Sequence, residues 1–200
     1  MELVIASNNK NKIKEITQIL GNFFEKLYSL QDLGINIDVA ETGKTFYENA
    51  LIKARTISEL TQKAVIADDS GLEVYALNFE PGIYSARYAS VNGEANSSDE
   101  KNNELLLKNM EKNSNRKARF VSSVVLYYPS GRIIATNGIT EGEILYEKKG
   151  ANGFGYDPLF YSYELNKSFG ESTAKEKNLV SHRAKALAQL KDILSLEKNM

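Results

Sequence analysis

Ala64-Val65-Ile66-Ala67-Asp68-Asp69-Ser70-Gly71-Leu72-Glu73-Val74 runs from four apolar residues straight into two adjacent aspartates. A short, continuous apolar run suits a strand buried on both faces, the kind found in α/β sheets. Carboxylates are poor core residues, so the strand is expected to stop at Ala67. Asp68 to Gly71 then reads as a tight bend, with Leu72-Glu73-Val74 returning to strand-like alternation. Two carboxylates at a strand end are also good ligands for a hard cation. Mg²⁺ takes one or two of them, with water and substrate phosphate oxygens completing its shell. A carboxylate not wholly committed to an ion can take a proton from attacking water. An Asp-rich turn ending at Gly71 needs no ligand at all, so both readings stay open at this point.

Working outward, Leu3 to Ala6 is a second buried-strand run, followed by the polar loop Ser7-Asn8-Asn9-Lys10-Asn11-Lys12. Ile13, Ile16, Thr17, Ile19 and Leu20 recur at near-helical spacing over Lys10 to Leu20, and Gly21 is a natural stop. Thr45 with Glu48 is a capping-box pattern, and the helix it opens carries Ala50, Leu51, Ala54, Ile57 and Leu60 on one face. Asn96-Ser97-Ser98-Asp99 starts a third helix through Leu105, Leu106 and Met110. Arg119 to Tyr128 and Gly131 to Thr136 read as a β-hairpin about Pro129-Ser130-Gly131, and Gly142 to Tyr146 as a further strand. A long final helix is expected from Ala174 or Lys175 to Leu194, with Leu179, Ala186, Leu187, Leu190 and Leu194 inward. Helices and strands interleave, but the middle is β-rich with hairpin connections. That predicts an α/β fold with a mixed sheet rather than a purely parallel one.

The chain has 200 residues, of which 42% are hydrophobic and 26% charged, which is ordinary globular usage rather than that of a disordered chain. One bilobed domain over 1–200 is expected. There is no cysteine, so no disulfide, which fits a reducing compartment. The first apolar run is far shorter than a signal sequence, and no stretch approaches the ~20 apolar residues of a membrane span. A formal charge of −1 draws the chain to neither nucleic acid nor membrane, so attraction for a polyanion has to be local.

Several stretches could supply it. The loop Ser7 to Lys12 lies between a strand and a helix, where α/β proteins bind ligands. A helix N-terminus and Lys12 there would favour phosphate, although Ser and Asn also cap helices with no ligand present. No P-loop pattern occurs anywhere. Glu41 precedes the Thr45 cap closely enough to reach a metal near that helix end, and Lys53 lies two turns in. Gly150-Ala151-Asn152-Gly153-Phe154-Gly155-Tyr156-Asp157-Pro158 combines close backbone approach with the stacking faces of Phe154 and Tyr156, though it also reads as a glycine-rich loop with core aromatics. Lys177, Ser181 and His182 would share a side of the final helix, with Arg183 following. His182 is the only histidine, and with no cysteine a zinc site or Ser-His-Asp triad has little to build on.

Taken together these stretches resemble the inosine triphosphate pyrophosphatase family, also called XTP/dITP pyrophosphatases. The matching strings are Ser7-Asn8-Asn9-x-x-Lys12, Glu41-Thr42-Gly43-x-Thr45-Phe46-x-Glu48-Asn49-Ala50, Ala67-Asp68-Asp69-Ser70-Gly71-Leu72, Pro81-Gly82-Ile83-Tyr84-Ser85-Ala86-Arg87-Tyr88, Gly153-Phe154-Gly155-Tyr156-Asp157-Pro158 and Ser181-His182-Arg183. They stand in family order across nearly the whole chain. Ser7-Asn8-Asn9 replaces the frequent Thr-Gly-Asn, and Asn78-Phe79-Glu80 replaces the usual glycines before Pro81.

The resemblance implies an elongated α/β fold with a central mixed sheet flanked by helices, and an active-site cleft between two lobes. It implies a cytoplasmic homodimer, Mg²⁺, and hydrolysis of ITP, dITP and XTP to monophosphate and pyrophosphate. Carried over by position, Ser7, Asn8, Asn9, Lys10, Asn11, Lys12 and Lys53 would hold the triphosphate. Asp69 would be general base and metal ligand, with Glu41 and Asp68 also near the metal, and Ser70 would touch substrate. Phe154, Gly155, Tyr156, Asp157, Lys177, His182 and Arg183 would surround and read the base. Two rival expectations are a related pyrophosphatase preferring modified pyrimidines, and a nucleotide-binding module without catalysis.

Overall fold

The computed structural model describes residues 2–90 and 96–198. The domain expected over 1–200 also includes residues 1, 91–95, 199 and 200, which lie outside the described ones. The chain divides into two compact units built from interleaved segments. The first comprises Met1–Asp69, Ser122–Gly138 and Arg183–Met200; the second comprises Ser70–Val121 and Ile139–His182.

In the first unit β1 (Glu2–Ile5) is buried on both faces, and its period-2 alternation sends neighbouring side chains into different cores. Leu3 and Ile5 join Ile16 and Leu20 of α1 (Lys10–Leu20) in one cluster. Val4 turns the other way, against Leu30, which follows β2 (Lys26–Ser29), and against Ala50, Ala54 and Ile57 of α2 (Phe46–Thr61). Each fully buried Leu or Ile of this kind contributes about 1.5–3 kcal/mol of apolar transfer. The capping box at Thr45 is present as expected: its side chain accepts from the Glu48 N–H at 3.1 Å, and Glu48 Oε2 accepts from the Thr45 N–H at 3.1 Å. Leu60, expected inward, is 54% exposed, because the buried stripe of α2 ends at Ser58.

β3 (Ala64–Val74) is a correction to the expected bend. It runs for 11 residues without interruption through Asp68-Asp69-Ser70-Gly71. Two buried carboxylates are incompatible with a strand interior only while they lack counter-charges; cations brought in from other elements remove that incompatibility.

In the second unit Leu72 and Val74 pack with Leu106 and Met110 of α3 (Asp99–Met110), whose N-cap is Ser98. Phe120 lies in β4 (Lys117–Tyr127) and packs on Phe160 of β6 (Phe160–Ser162) with ring centroids 4.7 Å apart. β5 (Ile133–Ile144) alternates exposed and buried along nearly its whole length, so Gly142 to Ile144 ends that strand rather than forming a separate one. β7 (Lys167–Ser168) pairs antiparallel with β6.

The strands form one seven-stranded sheet in the order β2-β1-β3-β4-β5-β6-β7. β1 runs parallel to both β2 and β3, whereas β5–β6 and β6–β7 are antiparallel. β4 and β5 are joined by five residues, a link that permits only antiparallel pairing. The fold is therefore α/β with a mixed sheet flanked by helices, as the sequence predicts. β2, β6 and β7 were not anticipated; Lys26-Leu27-Tyr28-Ser29 is too short and too little patterned to announce itself.

The expected final helix is two. α4 (Ala174–Val180) ends at Ser181, which is extended at φ −67° and ψ 152°, and α5 (His182–Lys198) follows. The break changes the phase of the apolar stripe. Ala186, Leu187, Leu190 and Leu194 are buried in the first unit, but Leu179 on α4 is 75% exposed.

Candidate active site

The two aspartates of β3 point to different partners. Asp68 is enclosed by cations: Lys12 Nζ lies 2.6 Å from its Oδ1, and Arg183 Nε lies 3.1 Å from its Oδ2. Ser122 of β4 also donates its hydroxyl to Oδ2, at 2.7 Å. Burial alone would raise the Asp68 pKa, but Arg183 and then Lys12 hold the carboxyl well below the usual range. Arg183 is itself 1% exposed and pairs with Glu15 of α1 as well. Burial works against the guanidinium, yet Asp68 and Glu15 raise its pKa above the ordinary value. Lys12 goes the other way, because its burial outweighs the attraction of Asp68.

Asp69, 6% exposed, is held by two residues of α2 that stand one turn apart. Asn49, completely buried, donates from Nδ2 to Asp69 Oδ2 at 3.2 Å. Lys53 Nζ lies 3.4 Å from Asp69 Oδ1, 2.7 Å from Glu41 Oε1 and 2.9 Å from the Asp68 carbonyl oxygen. Asn49 also accepts the Gly43 N–H at 2.8 Å, so it ties the segment carrying Glu41 to Asp69. A Cβ at Gly43 would stand 2.6 Å from the Glu48 Cβ, which reserves that position for glycine. Burial is the main cause of a raised Asp69 pKa; Lys53 and Lys12 oppose it, and Glu41 and Asp68 add to it. Lys53 is raised in turn, since Asp69 and Glu41 together outweigh its burial. Neighbouring residues thus receive opposite treatment.

The loop before α1 is a cap. Asn9 accepts from the N–H groups of Asn11 at 2.9 Å and Lys12 at 3.2 Å, and the Asn9 N–H donates to the Ser7 hydroxyl at 3.1 Å. Asn8, Asn9, Lys10 and Asn11 are exposed, and the first turn carries no acidic residue. Ser70, partly buried, follows Asp69 in β3.

The second unit brings together Phe154, Asp157 and Lys177. Asp157, 2% exposed, receives the Lys177 ammonium at 2.7 Å and the Phe154 N–H at 2.8 Å on the same oxygen. Lys177 is 5% exposed and stands 4.6 Å over the Phe154 ring. His182 is 4% exposed and stacks on Phe120 with centroids 4.7 Å apart. Tyr156 donates its hydroxyl to the Ser85 carbonyl at 2.9 Å, and burial pushes its pKa upward. Gly155 takes the left-handed conformation at φ +62°.

The Ham1 family model matches residues 3–193. The chain belongs to the Ham1 family. Within curated Ham1 relatives, the dITP/XTP pyrophosphatase of Clostridium perfringens is 48% identical over 96% of this chain and 97% of its own. That of Staphylococcus aureus strain Mu50 is 44% identical over 100% and 99%. Among solved structures, the Staphylococcus aureus Ham1 protein matches with TM-score 0.87 and 42% identity, covering 98% of this chain and 100% of that one. The nucleoside-triphosphatase and dITP/XTP pyrophosphatase of Mycobacterium abscessus matches with TM-score 0.76 and 40% identity, over 95% and 98%.

In this Ham1 chain the expected site residues fall into distinct sets. Lys12, Glu41, Lys53, Asp68, Asp69 and Arg183 meet within the first unit; Phe154, Asp157 and Lys177 meet within the second, where His182 stacks on Phe120. Arg183, expected beside the base, is bonded to Asp68 and Glu15. Glu41, Asp68 and Asp69 do not form a three-carboxylate cage, and among the described residues no group of three His, Cys, Asp or Glu does. Glu15, Asn49 and Ser122 carried no assigned role in the sequence reading. Glu15 stands three residues after Lys12, a spacing that could have suggested it; nothing local signals Ser122, which is 54 residues from its partner.

Proposed function

We propose that this chain hydrolyses the deaminated purine nucleoside triphosphates ITP, dITP and XTP to monophosphate and pyrophosphate, clearing them before incorporation into DNA or RNA. The unequal pair Asp68 and Asp69 carries the reading. One carboxylate is neutralised in place by Arg183 and Lys12, and the other is kept basic by burial beside Lys53. Homology to relatives named dITP/XTP pyrophosphatase at 44–48% identity over the full chain supports the substrate class.

Asp69 takes a proton from the water that attacks the α-phosphorus. The new bond joins that water oxygen to phosphorus, the bond to the bridging oxygen breaks, and pyrophosphate leaves. Lys12 and Lys53, tethered by Asp68 and by Glu41 with Asp69, offset charge on the phosphate oxygens, and the N–H groups at the start of α1 add to this. Glu41 and Asp69 would hold Mg²⁺, with Asp68 acting through its ion pairs. The donor set fits, since two carboxylates and a backbone carbonyl already share one cation, the Lys53 ammonium. The ion would polarise phosphate oxygens and offset the charge of departing pyrophosphate.

Phe154 and Tyr156 would hold the base, with Asp157, Lys177 and His182 around it. Hypoxanthine and xanthine carry the acceptor O6 where adenine carries an amino donor, so Lys177 and a His182 N–H favour the deaminated bases. Arg183 serves this chemistry by fixing Asp68. We assign the protein to the cytoplasm, consistent with its lack of cysteine, and propose a homodimer; Phe79, Ile139 and Tyr163 of the second unit are large and 41–47% exposed. Among the described residues no helix is long and apolar enough to cross a membrane.

Product analysis tests the reaction. Pyrophosphate from ITP is expected; orthophosphate would place the attack at the γ-phosphorus and sink the mechanism. Turnover of dUTP ahead of ITP and XTP would overturn the substrate class. Sedimentation at equilibrium reads the dimer.

A further inference from the structure

We infer that Asp99 and Asn103 of α3 are positioning residues that set the geometry of the aromatic pair Phe154 and Tyr156 through the glycine between them. The inference rests on the reading of Phe154 to Asp157 as the base-recognising loop. The Gly155 N–H donates to Asp99 Oδ2 at 2.7 Å, and the Gly155 carbonyl accepts from Asn103 Nδ2 at 2.9 Å. Asp99 and Asn103 stand four residues apart, one turn of α3, and so project from the same face.

Each bond fixes one peptide plane. Asp99 holds the plane between Phe154 and Gly155 from its N–H side, while the Phe154 carbonyl on the other side accepts the Asp157 N–H at 3.2 Å; Asn103 holds the plane between Gly155 and Tyr156. Glycine has the widest backbone freedom of any residue, so loss of the Asp99 and Asn103 bonds would turn Gly155 into a looser hinge between the two aromatics. Tyr156 would not follow that hinge, because it is 3% exposed and bonded to Ser85. The loosening would fall on Phe154, which then depends on Asp157 at its N–H and carbonyl and whose ring carries the Lys177 ammonium. Asn103 is 3% exposed, and its Oδ1 has no hydrogen-bond partner among the described residues. A buried amide with an unmet acceptor is unfavourable. What Asn103 supplies is its donation to Gly155.

The test uses the full chain with ITP as substrate and inorganic tripolyphosphate, which has no base, as competitive inhibitor. Asp99→Ala and Asn103→Ala are each expected to raise KM for ITP about tenfold, with kcat within about threefold and the tripolyphosphate inhibition constant unchanged. Asp99→Asn, which keeps an acceptor, is expected to recover most of the lost KM. Asp99 is exposed, so its variants carry the test if Asn103→Ala fails to fold. An unchanged KM in the Asp99 variants, while Phe154→Ala raises KM, overturns the positioning role alone. An unchanged KM in Phe154→Ala overturns the loop reading beneath it. Inhibition constant and KM rising together mark a merely structural effect and also overturn the inference.

Discussion

Arg183 donates through Nε to Asp68 Oδ2 at 3.1 Å, and each of the two side chains is only 1% exposed. Arg183 stands in the first turn of α5 and Asp68 mid-strand in β3, so the pair pins a helix start to an interior strand of the sheet. Glu15 on the Arg183 guanidinium, with Lys12 and Ser122 on Asp68, completes the network. Removing Arg183 leaves the buried Asp68 with Lys12 and Ser122, and removing Asp68 leaves the buried Arg183 with Glu15, so each survivor loses part of its compensation. Arg183→Met and Asp68→Ala are therefore each expected to lose about 3–5 kcal/mol of stability, read from urea unfolding midpoints. A loss below about 1 kcal/mol would mean that water reaches the pair.

The neighbouring aspartate is expected to behave in the opposite way. The folded-state pKa of Asp69 is raised, so its charged form is disfavoured by folding and costs stability at neutral pH. Asp69→Asn should keep or raise the melting temperature while reducing ITP turnover at least ~10²-fold, the scale of a lost general base. Calorimetry beside a pyrophosphate assay checks both. Retained turnover would remove Asp69 from the chemistry.

The same two shifts divide the pH scale. Asp68 is depressed, so its contribution is present above the unfolded value of about 3.9 and is lost as pH falls below that toward its folded value. Its ion pairs should persist through mildly acid solution. Asp69 is raised, so the acid limb of kcat/KM should lie above the ordinary carboxylate range. Because metal and proton compete for one carboxylate, more Mg²⁺ should move that limb to lower pH. Rate profiles at two Mg²⁺ concentrations decide it; a limb that stays put would separate Asp69 from the metal.

Two loop glycines should differ in their tolerance of a methyl group. Both have positive φ, +79° at Gly153 and +62° at Gly155, which costs a non-glycine residue about 1–2 kcal/mol. A Cβ at Gly153 would also fall on the Asp157 carboxylate, whereas at Gly155 it meets nothing within 4 Å. Gly153→Ala is thus expected to raise KM for ITP well beyond Gly155→Ala, by displacing Asp157 from Lys177. Equal effects would mean that backbone strain alone matters.

Asn49 reaches the Asp69 carboxylate from α2. Asn49→Ala should lower kcat by about tenfold through a lost hydrogen bond of about 1–1.5 kcal/mol, with KM for ITP less affected. Steady-state kinetics separates the two constants, and a pure KM effect would assign Asn49 to substrate binding.

Local patterns carried most of the elements. The capping box at Thr45, the apolar spacing of α1 and α3 and the turn signals between β4 and β5 act within a few residues, so sequence alone exposes them. The ends of β3 and of the last helix were not legible. Asp68 and Asp69 read as strand breakers because their cations come from Lys12, Lys53 and Arg183, far away in the chain. Ser181 lies between two helices although neither proline nor glycine marks the place; the Val180 carbonyl just before it accepts the Thr140 hydroxyl at 2.7 Å.

Residue types and their order are enough for the α/β class, the family and the chemistry available to it. What each charge does is set by tertiary packing. Whether a buried carboxylate is an anchor or a base depends on the cations and dipoles within a few ångströms, and those are set by contacts between residues remote in the chain. Asp68 and Asp69 are covalent neighbours with the same side chain, and packing alone made one a counter-ion and left the other basic.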